Sequence, residues 1–362
     1  GAASLQYGPQ FGGMLNFIMK TGNPDKKAEL TLRQSIGSYN LSNSFVSLGG
    51  QIKKTNYYVF GQYKTSGGWR PNSSLDSYTI YGGIEHQFNE FTSLKLEFTR
   101  LHYTAQQPGG LTDIQFEEDP SQSNRSGNWF QVNWNVFALR FEHKFSTNTE
   151  ISSQFFGLYA QRNALGYLQN ISFSEDQLEQ VVNRDLILST FKNFGNETKI
   201  LHRYKLKNTI SALLFGTRYY QGFTEKDQGF GPDGRNEDFT FNDRTTEAGS
   251  FYDFPSQNAS VFIENIFQIN TLWSVTPGVR YEYINTESKG FYQLQHPNNP
   301  DSIVKYDNAK NLKRSVWLYG IGTSFKLTEF IETYANFSKN YRAVNFNDLY
   351  TKVWQILTNI FY

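Results

Sequence analysis

Apolar and polar residues alternate one for one along much of this chain. Within residues 274–284, Val279 and Tyr281 fall on one side, whereas Arg280 and Glu282 fall on the other. The same period occurs in two further stretches, residues 94–100 and 316–325. Because successive side chains of a β-strand point to opposite faces, this period predicts strands with one apolar face and one polar face.

The connections between these strands are of two lengths. Short polar turns are predicted near residues 55, 89, 147, 207, 270 and 328. Long polar segments rich in Pro, Gly, Asn and Asp alternate with them, at residues 107–128, 168–185, 224–254 and 290–312. Antiparallel hairpins return the chain to alternate ends, so the turns are predicted to lie at one end of a sheet and the loops at the other.

Composition narrows the fold class further. Aromatic residues make up 17% of the 362 residues, yet the mean hydropathy is −0.56, and no apolar run approaches the 18 residues of a membrane helix. A transmembrane β-barrel with aromatic girdles and a wet interior accounts for this mixture. The sequence therefore predicts an all-β chain, an antiparallel transmembrane barrel of about 14 strands.

The start of the chain has a different character. Residues 7–13 hold three glycines and precede a short apolar stretch, 14–19, which ends at Lys20. The pattern alone fits an ordinary glycine turn before a strand. The first residues also lack the charged and apolar regions of a secretory signal peptide, so we expect the chain to begin inside a longer protein.

This stretch resembles the end of the plug domain of TonB-dependent receptors, where Tyr-Gly and Gly-Gly bracket a turn before an apolar strand. Tyr7, Gly8, Gly12 and Gly13 occupy those positions. Three later segments resemble loops of the family's ferric dicitrate receptors in particular: residues 66–70, 107–111 and 166–168. Two more, 276–282 and 340–346, resemble segments common in the wider family. The resemblance follows the family's order over nearly the whole chain.

The resemblance implies a domain organisation and a location. Residues 1–24 would be the C-terminal end of the plug and its linker, and 25–362 would be part of a barrel, about 14 of the family's 22 strands. The location would be the bacterial outer membrane, with the outer-membrane lipid around the wall. Residues 14–19 would form a strand inside or beside the barrel mouth, not a transmembrane strand. Energy for transport would come from the TonB–ExbB–ExbD complex through the front of the plug.

The resemblance also suggests a ligand site. In ferric dicitrate receptors three loop arginines hold the chelate, and Arg162, Arg184 and Arg244 stand at the matching places. Arginine suits this role because its planar fork donates two hydrogen bonds to one carboxylate and stays charged. We therefore expect these three side chains to converge on an anionic ferric chelate. Iron would enter only as part of that chelate, without a protein cofactor.

Other functions find less support in the residues. The chain has no cysteine, and its five histidines are scattered without metal-ligand spacing, so neither a catalytic constellation nor a metal site is expected and the chain is predicted not to be an enzyme. A net charge of +1 gives no argument for nucleic acid. A receptor for another siderophore, haem, a cobamide or a glycan stays open, as does a passive porin or adhesin barrel.

Overall fold

A computed structural model describes residues 5–8, 15–175, 183–242, 249–296 and 299–341. Thirteen antiparallel strands form one sheet in which every strand pairs with its neighbours in sequence, so the order is β1 to β13 without a crossover. The strands are β1 Glu29–Gly37, β2 Leu41–Ile52, β3 Thr55–Ser66, β4 Leu75–Gln87, β5 Thr92–Gln106, β6 Trp129–Lys144, β7 Thr149–Gly166, β8 Arg184–Leu206, β9 Thr209–Gly231, β10 Ser250–Gln268, β11 Trp273–His296, β12 Asn299–Lys326 and β13 Glu332–Ser338.

The predicted asymmetry of the connections is confirmed. Short turns follow the even-numbered strands and therefore share one end of the sheet, which we call the turn end: 53–54, 88–91, 145–148, 207–208, 269–272 and 327–331. The opposite end, the loop end, carries the connections 38–40, 67–74, 107–128, 167–183, 232–249 and 297–298. One six-residue helix, α1 (Asp113–Glu118), lies in the loop 107–128, where Thr112 and Gln115 form a capping box.

Of the four predicted loops, 290–312 is largely strand and 224–254 is strand at both of its ends. Residues 224–231 and 250–254 extend β9 and β10, and β11 and β12 continue through most of the predicted loop 290–312 in unbroken register as far as Gln295. The prediction was wrong because these hairpin arms carry polar residues on both faces. A strand that stands in water on both sides loses the alternation that identifies strands beside an apolar phase.

The two faces of the sheet differ in polarity. On one face, apolar partners adjoin in register across five strands: Tyr319, Val279, Ile263, Phe215 and Ile200. All but Val279 are exposed, and we call this the outer face. The other face, which carries residues 5–8, is the inner face and holds the buried charges of Arg280 and Glu282. The predicted orientation of β11, with Val279 and Tyr281 opposite those charges, is confirmed.

The first residues follow a different path from the one predicted. Residues 15–20 have no regular secondary structure, and Leu15, Phe17 and Ile18 are more than four-fifths exposed, so the predicted strand 14–19 is wrong over its described part. A strand needs neighbours for its backbone hydrogen bonds, and none of the described strands pairs with these residues. Residue 14 lies outside the described residues, as do Gly12 and Gly13. No helix in the described residues is long and apolar enough to cross a membrane.

Candidate ligand-binding site

Arg162 lies on the inner face near the loop end of β7. Its register partners are Val132 and Ser189, and the same row continues through Lys226 to Tyr252. Direct register partners lie on the same face of a sheet. Tyr252 pairs with Gly290 on β11, and Gly290 is on the same face as Arg280 because an even number of positions separates them. The guanidinium is exposed, lies 5.8 Å from the ring centre of Phe191, and makes no hydrogen bond or ion pair with any described residue.

The surroundings of Arg162 combine charge with aromatic rings. Tyr103 precedes it in the row across β5 and β6, and the rings of Tyr103 and Phe130 lie 6.2 Å apart. Lys226 lies two strands from Arg162, which corresponds to roughly 10 Å at the usual strand spacing. The inner face here offers two positive charges beside aromatic surface, which suits an anionic ligand of small-chelate size.

Arg184 has a different environment. It begins β8, is 2% exposed, and donates to four backbone carbonyls: Pro232 at 2.8 Å, Gly127 at 3.0 Å, Asn236 at 2.7 Å and Asp233 at 3.5 Å. Burial lowers the pKa of this guanidinium, while Glu175, Asp238 and Asp233 raise it. Every nitrogen of the fork is therefore used within the protein, and Arg184 connects loop 107–128 to loop 232–249.

The predicted convergence of three arginines does not occur in the part that the structure describes. Arg162 pairs with Ser189, and Ser189 is separated from Arg184 by an odd number of positions along β8. Side chains alternate between faces along a strand, so the two guanidinium groups start from opposite faces of the sheet. Arg244 lies outside the described residues. The structure thus does not bring Arg162 and Arg184 together, and ligand binding by Arg162, Arg184 and Arg244 stays a prediction.

Two further arginines, one buried and one half-buried, connect loops in the same way as Arg184. Arg125, in loop 107–128, is 3% exposed and donates to carbonyls of Tyr167, Gln169 and Asn170 in the next loop. Arg70, in loop 67–74, donates to carbonyls of loop 107–128. The sequence contains no signal for this role, because an arginine that will bind carbonyls looks the same as one that will bind a ligand.

The loop 107–128 is packed closely against these contacts. Gly109 has a φ of +80°, and a Cβ there would lie 2.7 Å from Cγ of Arg125. Only glycine fits this position without strain, because other residues rarely adopt positive φ and any side chain would displace the arginine. The carboxylate of Glu175 accepts hydrogen bonds from the amides of Ser126 and Gly127 and closes the loop from the other side.

Asp185 follows Arg184 and faces the opposite way. It lies at the loop end of β8. The apolar part of the outer face on β8 and β9 ends before this point, at the ion pair between Lys192 and Glu225. Burial raises the pKa of the Asp185 carboxyl to about 7, partly offset by the amide of Leu168, which donates to it at 3.3 Å. This carboxyl gives the base of loop 167–183 a group that titrates near neutral pH.

Residues 5–8 contact the inner face through buried charges on β10 and β11. Arg280 is 1% exposed, donates to Glu282 at 2.6 Å and to the carbonyl of Leu5 at 3.1 Å, and Glu264 accepts from the amide of Gln6. Gly8 has a φ of +77° and a Cβ there would lie 3.2 Å from Glu282.

Tyr7, which precedes Gly8, lies beside Lys199, whose ammonium is 5.4 Å from its ring centre. Tyr7 and Gly8 of the predicted plug motif thus lie on the inner face. Their assignment to a plug domain stays a prediction.

Among the residues that the structure describes, no group of three or more His, Asp or Glu side chains is placed to hold a metal ion, on the inner face or elsewhere.

The chain matches one family model over most of its length. The model described as "TonB dependent receptor-like, beta-barrel" covers residues 77–359. Solved structures with a similar fold include the ferric citrate transporter FecA in its unliganded form, with a TM-score of 0.66 and 15% sequence identity. The alignment covers 89% of this chain and 45% of that one.

Two other receptor structures align over a similar length. The ferric-catecholate import receptor Fiu from E. coli K12, in its open form, gives a TM-score of 0.73 at 14% identity and covers 93% and 58% of the two chains. The siderophore receptor PiuA from Acinetobacter baumannii gives 0.71 at 13% identity, with 93% and 52% covered. At these identities the similarity shows the fold alone. The chain spans about half the length of these proteins.

Proposed function

Because the chain belongs to the TonB-dependent receptor family and forms part of the wall of an outer-membrane barrel, we propose that the full-length protein takes up an anionic ferric chelate. Ferric citrate is the first candidate because the loop motifs of the sequence resemble those of ferric dicitrate receptors. The family is one of receptors and transporters, and the proposed reaction is translocation without covalent chemistry.

One observation supports the ligand class most strongly. Arg162 presents an exposed guanidinium on the inner face that makes no hydrogen bond or ion pair with a described residue, and Lys226 adds a second positive charge in the same row. A chelate whose iron is already saturated by its own oxygens needs charged donors for its outer carboxylates and no protein ligand to the metal. Arg162 and Lys226 supply donors of that kind, and Arg244 is proposed as a third.

The same proposal includes the partners that transport requires. Tyr7 and Gly8 lie against Lys199 and Glu282 on the inner face, which is where the last residues of a plug would lie. We assign residues 1–24 to the end of that plug. Energy would come from the inner membrane through TonB, ExbB and ExbD, acting on the front of the plug.

A ligand panel tests the proposal. The full-length receptor that contains this chain is purified in detergent, and quenching of its tryptophan fluorescence is followed with ferric citrate, a ferric catecholate, haem and a cobamide. We expect saturable binding of a negatively charged ferric chelate, with ferric citrate first, and weaker binding as salt concentration rises, because charge attracts the ligand.

Two results would contradict the proposal at different levels. Binding of haem or a cobamide, with no response to any ferric chelate, would replace the ligand and leave the receptor class unchanged. Passage of small uncharged solutes through liposomes that contain the full-length protein, without energy and without saturation, would replace the receptor with a porin.

A further inference from the structure

The same pair of side chains occurs three times at the turn end, each time between two strands that are neighbours in the sheet. In each, the threonine that begins a strand lies within hydrogen-bond distance of Nδ1 of a histidine near the turn end of the next strand. The pairs are Thr55 with His86 at 2.9 Å, Thr92 with His143 at 2.9 Å, and Thr149 with His202 at 2.8 Å. Repetition of one arrangement at three equivalent positions indicates a shared role.

All three histidines lie on the outer face. His86 follows Ile84 and Ile80 along β4 at alternate positions, and both isoleucines are about half exposed. His143 occupies the corresponding place below Phe141 on β6, and His202 lies next to Ile200 on β8. Each ring therefore stands where the apolar surface of the outer face meets the turn end.

The ring nitrogens of these histidines differ in their environment. Nδ1 is occupied by the threonine hydroxyl, whereas Nε2 has no hydrogen-bond partner among the described residues. A neutral histidine carries one N–H, and when the hydroxyl donates to Nδ1 that hydrogen lies on Nε2. With the hydroxyl as the donor to Nδ1, Nε2 is left as a donor without a described partner.

Aromatic neighbours hold the rings in place. Phe88 and Phe145 meet the rings of His86 and His143 edge-on at 4.8 Å, and Tyr204 stacks with His202 at 6.3 Å. In outer-membrane barrels the short turns face the periplasm, so this edge lies at the headgroup layer of the periplasmic leaflet. The acceptors abundant in that layer are the phosphate oxygens of phospholipids.

We propose that His86, His143 and His202 bind the phosphates of phospholipid headgroups in the periplasmic leaflet, each through Nε2. A donor beside hydrocarbon costs free energy unless an acceptor is in reach, and the headgroup phosphate is the acceptor at that depth. The three sites would hold a row of lipids along the wall between β3 and β8. This inference rests on the family's location in the outer membrane and is independent of the transported ligand.

The alternative is that the threonine–histidine pairs only fix the register of the strands. Two substitutions separate the roles, because the amide of asparagine lies near the place of Nδ1 and the amide of glutamine near the place of Nε2. Replacing His86, His143 and His202 by Asn retains a partner for the threonines and removes the outward donor. Replacing the same three by Gln retains the outward donor and removes the pairing.

The experiment compares lipid binding by the full-length receptor and these two variants. Native mass spectrometry of the detergent-solubilised protein counts bound phosphatidylglycerol, and diacylglycerol with the same acyl chains controls for apolar contact. We expect more phosphatidylglycerol than diacylglycerol on the unaltered protein and on the Gln variant. In the Asn variant, affinity for phosphatidylglycerol should fall about three- to tenfold per site, as loss of one hydrogen bond predicts.

Several outcomes would overturn the proposal. Equal binding of both lipids by the unaltered protein, equal phosphatidylglycerol binding by the Asn variant and the unaltered protein, or loss of binding in the Gln variant alone would each assign the histidines to register. Competition by millimolar inorganic phosphate would indicate an unspecific anion site. If a variant does not fold, ¹⁵N spectra of the unaltered protein decide: the Nε2 resonances should differ between phosphatidylglycerol and diacylglycerol, and identical spectra would contradict the proposal.

Discussion

The turn end and the loop end of this sheet are held together by different interactions. Within the turns of the turn end, side chains satisfy nearby backbone groups: Asn89 accepts from the amide of Phe91, and Asn270 accepts from Leu272 and Trp273. At the loop end, Arg125 and Arg184 donate to carbonyls that lie more than 40 residues away in the chain.

The comparison shows how one strand pattern supports two kinds of surface. Turns that satisfy their own backbone groups can be short and much alike, because they need nothing from their neighbours. Long loops carry many polar backbone groups that a strand ladder cannot satisfy, and buried arginines satisfy several at once. The loops are therefore expected to open cooperatively, whereas each turn satisfies many of its own backbone groups.

The largest expected effect comes from removing an arginine that joins two loops. Arg184→Ala leaves carbonyls of Gly127, Pro232 and Asn236 without their donor. We expect the free energy of local opening of loops 107–128 and 232–242 to fall by about 3–5 kcal/mol, because charge-assisted bonds in a buried site are lost together. Hydrogen exchange followed by mass spectrometry measures the change in each loop separately.

Arg162→Ala is the matched control for that measurement. Its guanidinium makes no described hydrogen bond, so the exchange of both loops should stay as in the unaltered protein. The turns 88–91 and 145–148 should be unaffected by either variant. If Arg184→Ala accelerates exchange at the turns as much as at the loops, the two ends are not independent.

The second effect concerns pH. The pKa of Asp185 is raised to about 7, so the folded loop binds a proton that the open loop releases near its ordinary pKa. The stability of loop 167–175 should therefore be highest below about pH 4, decline as pH rises to about 7, and stay constant above it. The total loss should be at most about 4 kcal/mol. Hydrogen exchange across pH 4–8, corrected for the intrinsic rate, measures it.

Asp185→Asn provides the comparison for the pH series. The amide resembles the protonated carboxyl in shape and carries no charge, so the pH dependence of this loop should disappear and the loop should stay closed at pH 8. Asp185 lies at the loop end of β8, so this substitution should leave exchange at the turns as in the unaltered protein at each pH. An unaltered pH profile in Asp185→Asn would assign the dependence to another residue.

The smallest effect belongs to the turn end. Lys207, in the two-residue turn between β8 and β9, has a φ of +54°, a conformation in which a Cβ is strained. Lys207→Gly should stabilise this hairpin by about 1 kcal/mol, measured as a shift in the urea midpoint of unfolding of the full-length receptor. Asn208→Gly, at the neighbouring position, is the control and should not stabilise. Destabilisation by Lys207→Gly would mean that the lysine side chain matters more than its backbone conformation.

The sequence predicts the fold well because barrel strands carry their signal locally. Alternation identified the two faces of β11 and placed Arg280 and Glu282 opposite Val279. The same signal fails where both faces of a strand meet water. For that reason the parts of β9 to β12 nearest the loop end resembled loops in the sequence. The predicted strand at 14–19 was wrong for a different reason, since its apolar residues have no described neighbouring strand.

The candidate site was less predictable from the sequence. The matching motifs indicate that Arg162 and Arg184 follow the order of the arginines in the related receptors. They do not indicate on which face of the sheet each arginine lies, because that depends on the register between β7 and β8. Counting along those strands places the two on opposite faces, which a motif in a variable loop does not reveal. The inter-loop roles of Arg70 and Arg125 depend on contacts between distant segments and leave no local pattern.

Arg162, on the inner face, is proposed to bind the ligand, whereas the buried Arg184 maintains the loops. The direct test is the dissociation constant of ferric citrate, or of the chelate that the panel identifies, for the full-length receptor with Arg162→Ala and Arg162→Lys. Loss of a charge-assisted contact should weaken binding roughly ten- to a hundredfold, and lysine should restore little if the contact is bidentate. Unchanged affinity in both variants, with loop exchange also unchanged, would contradict the claim.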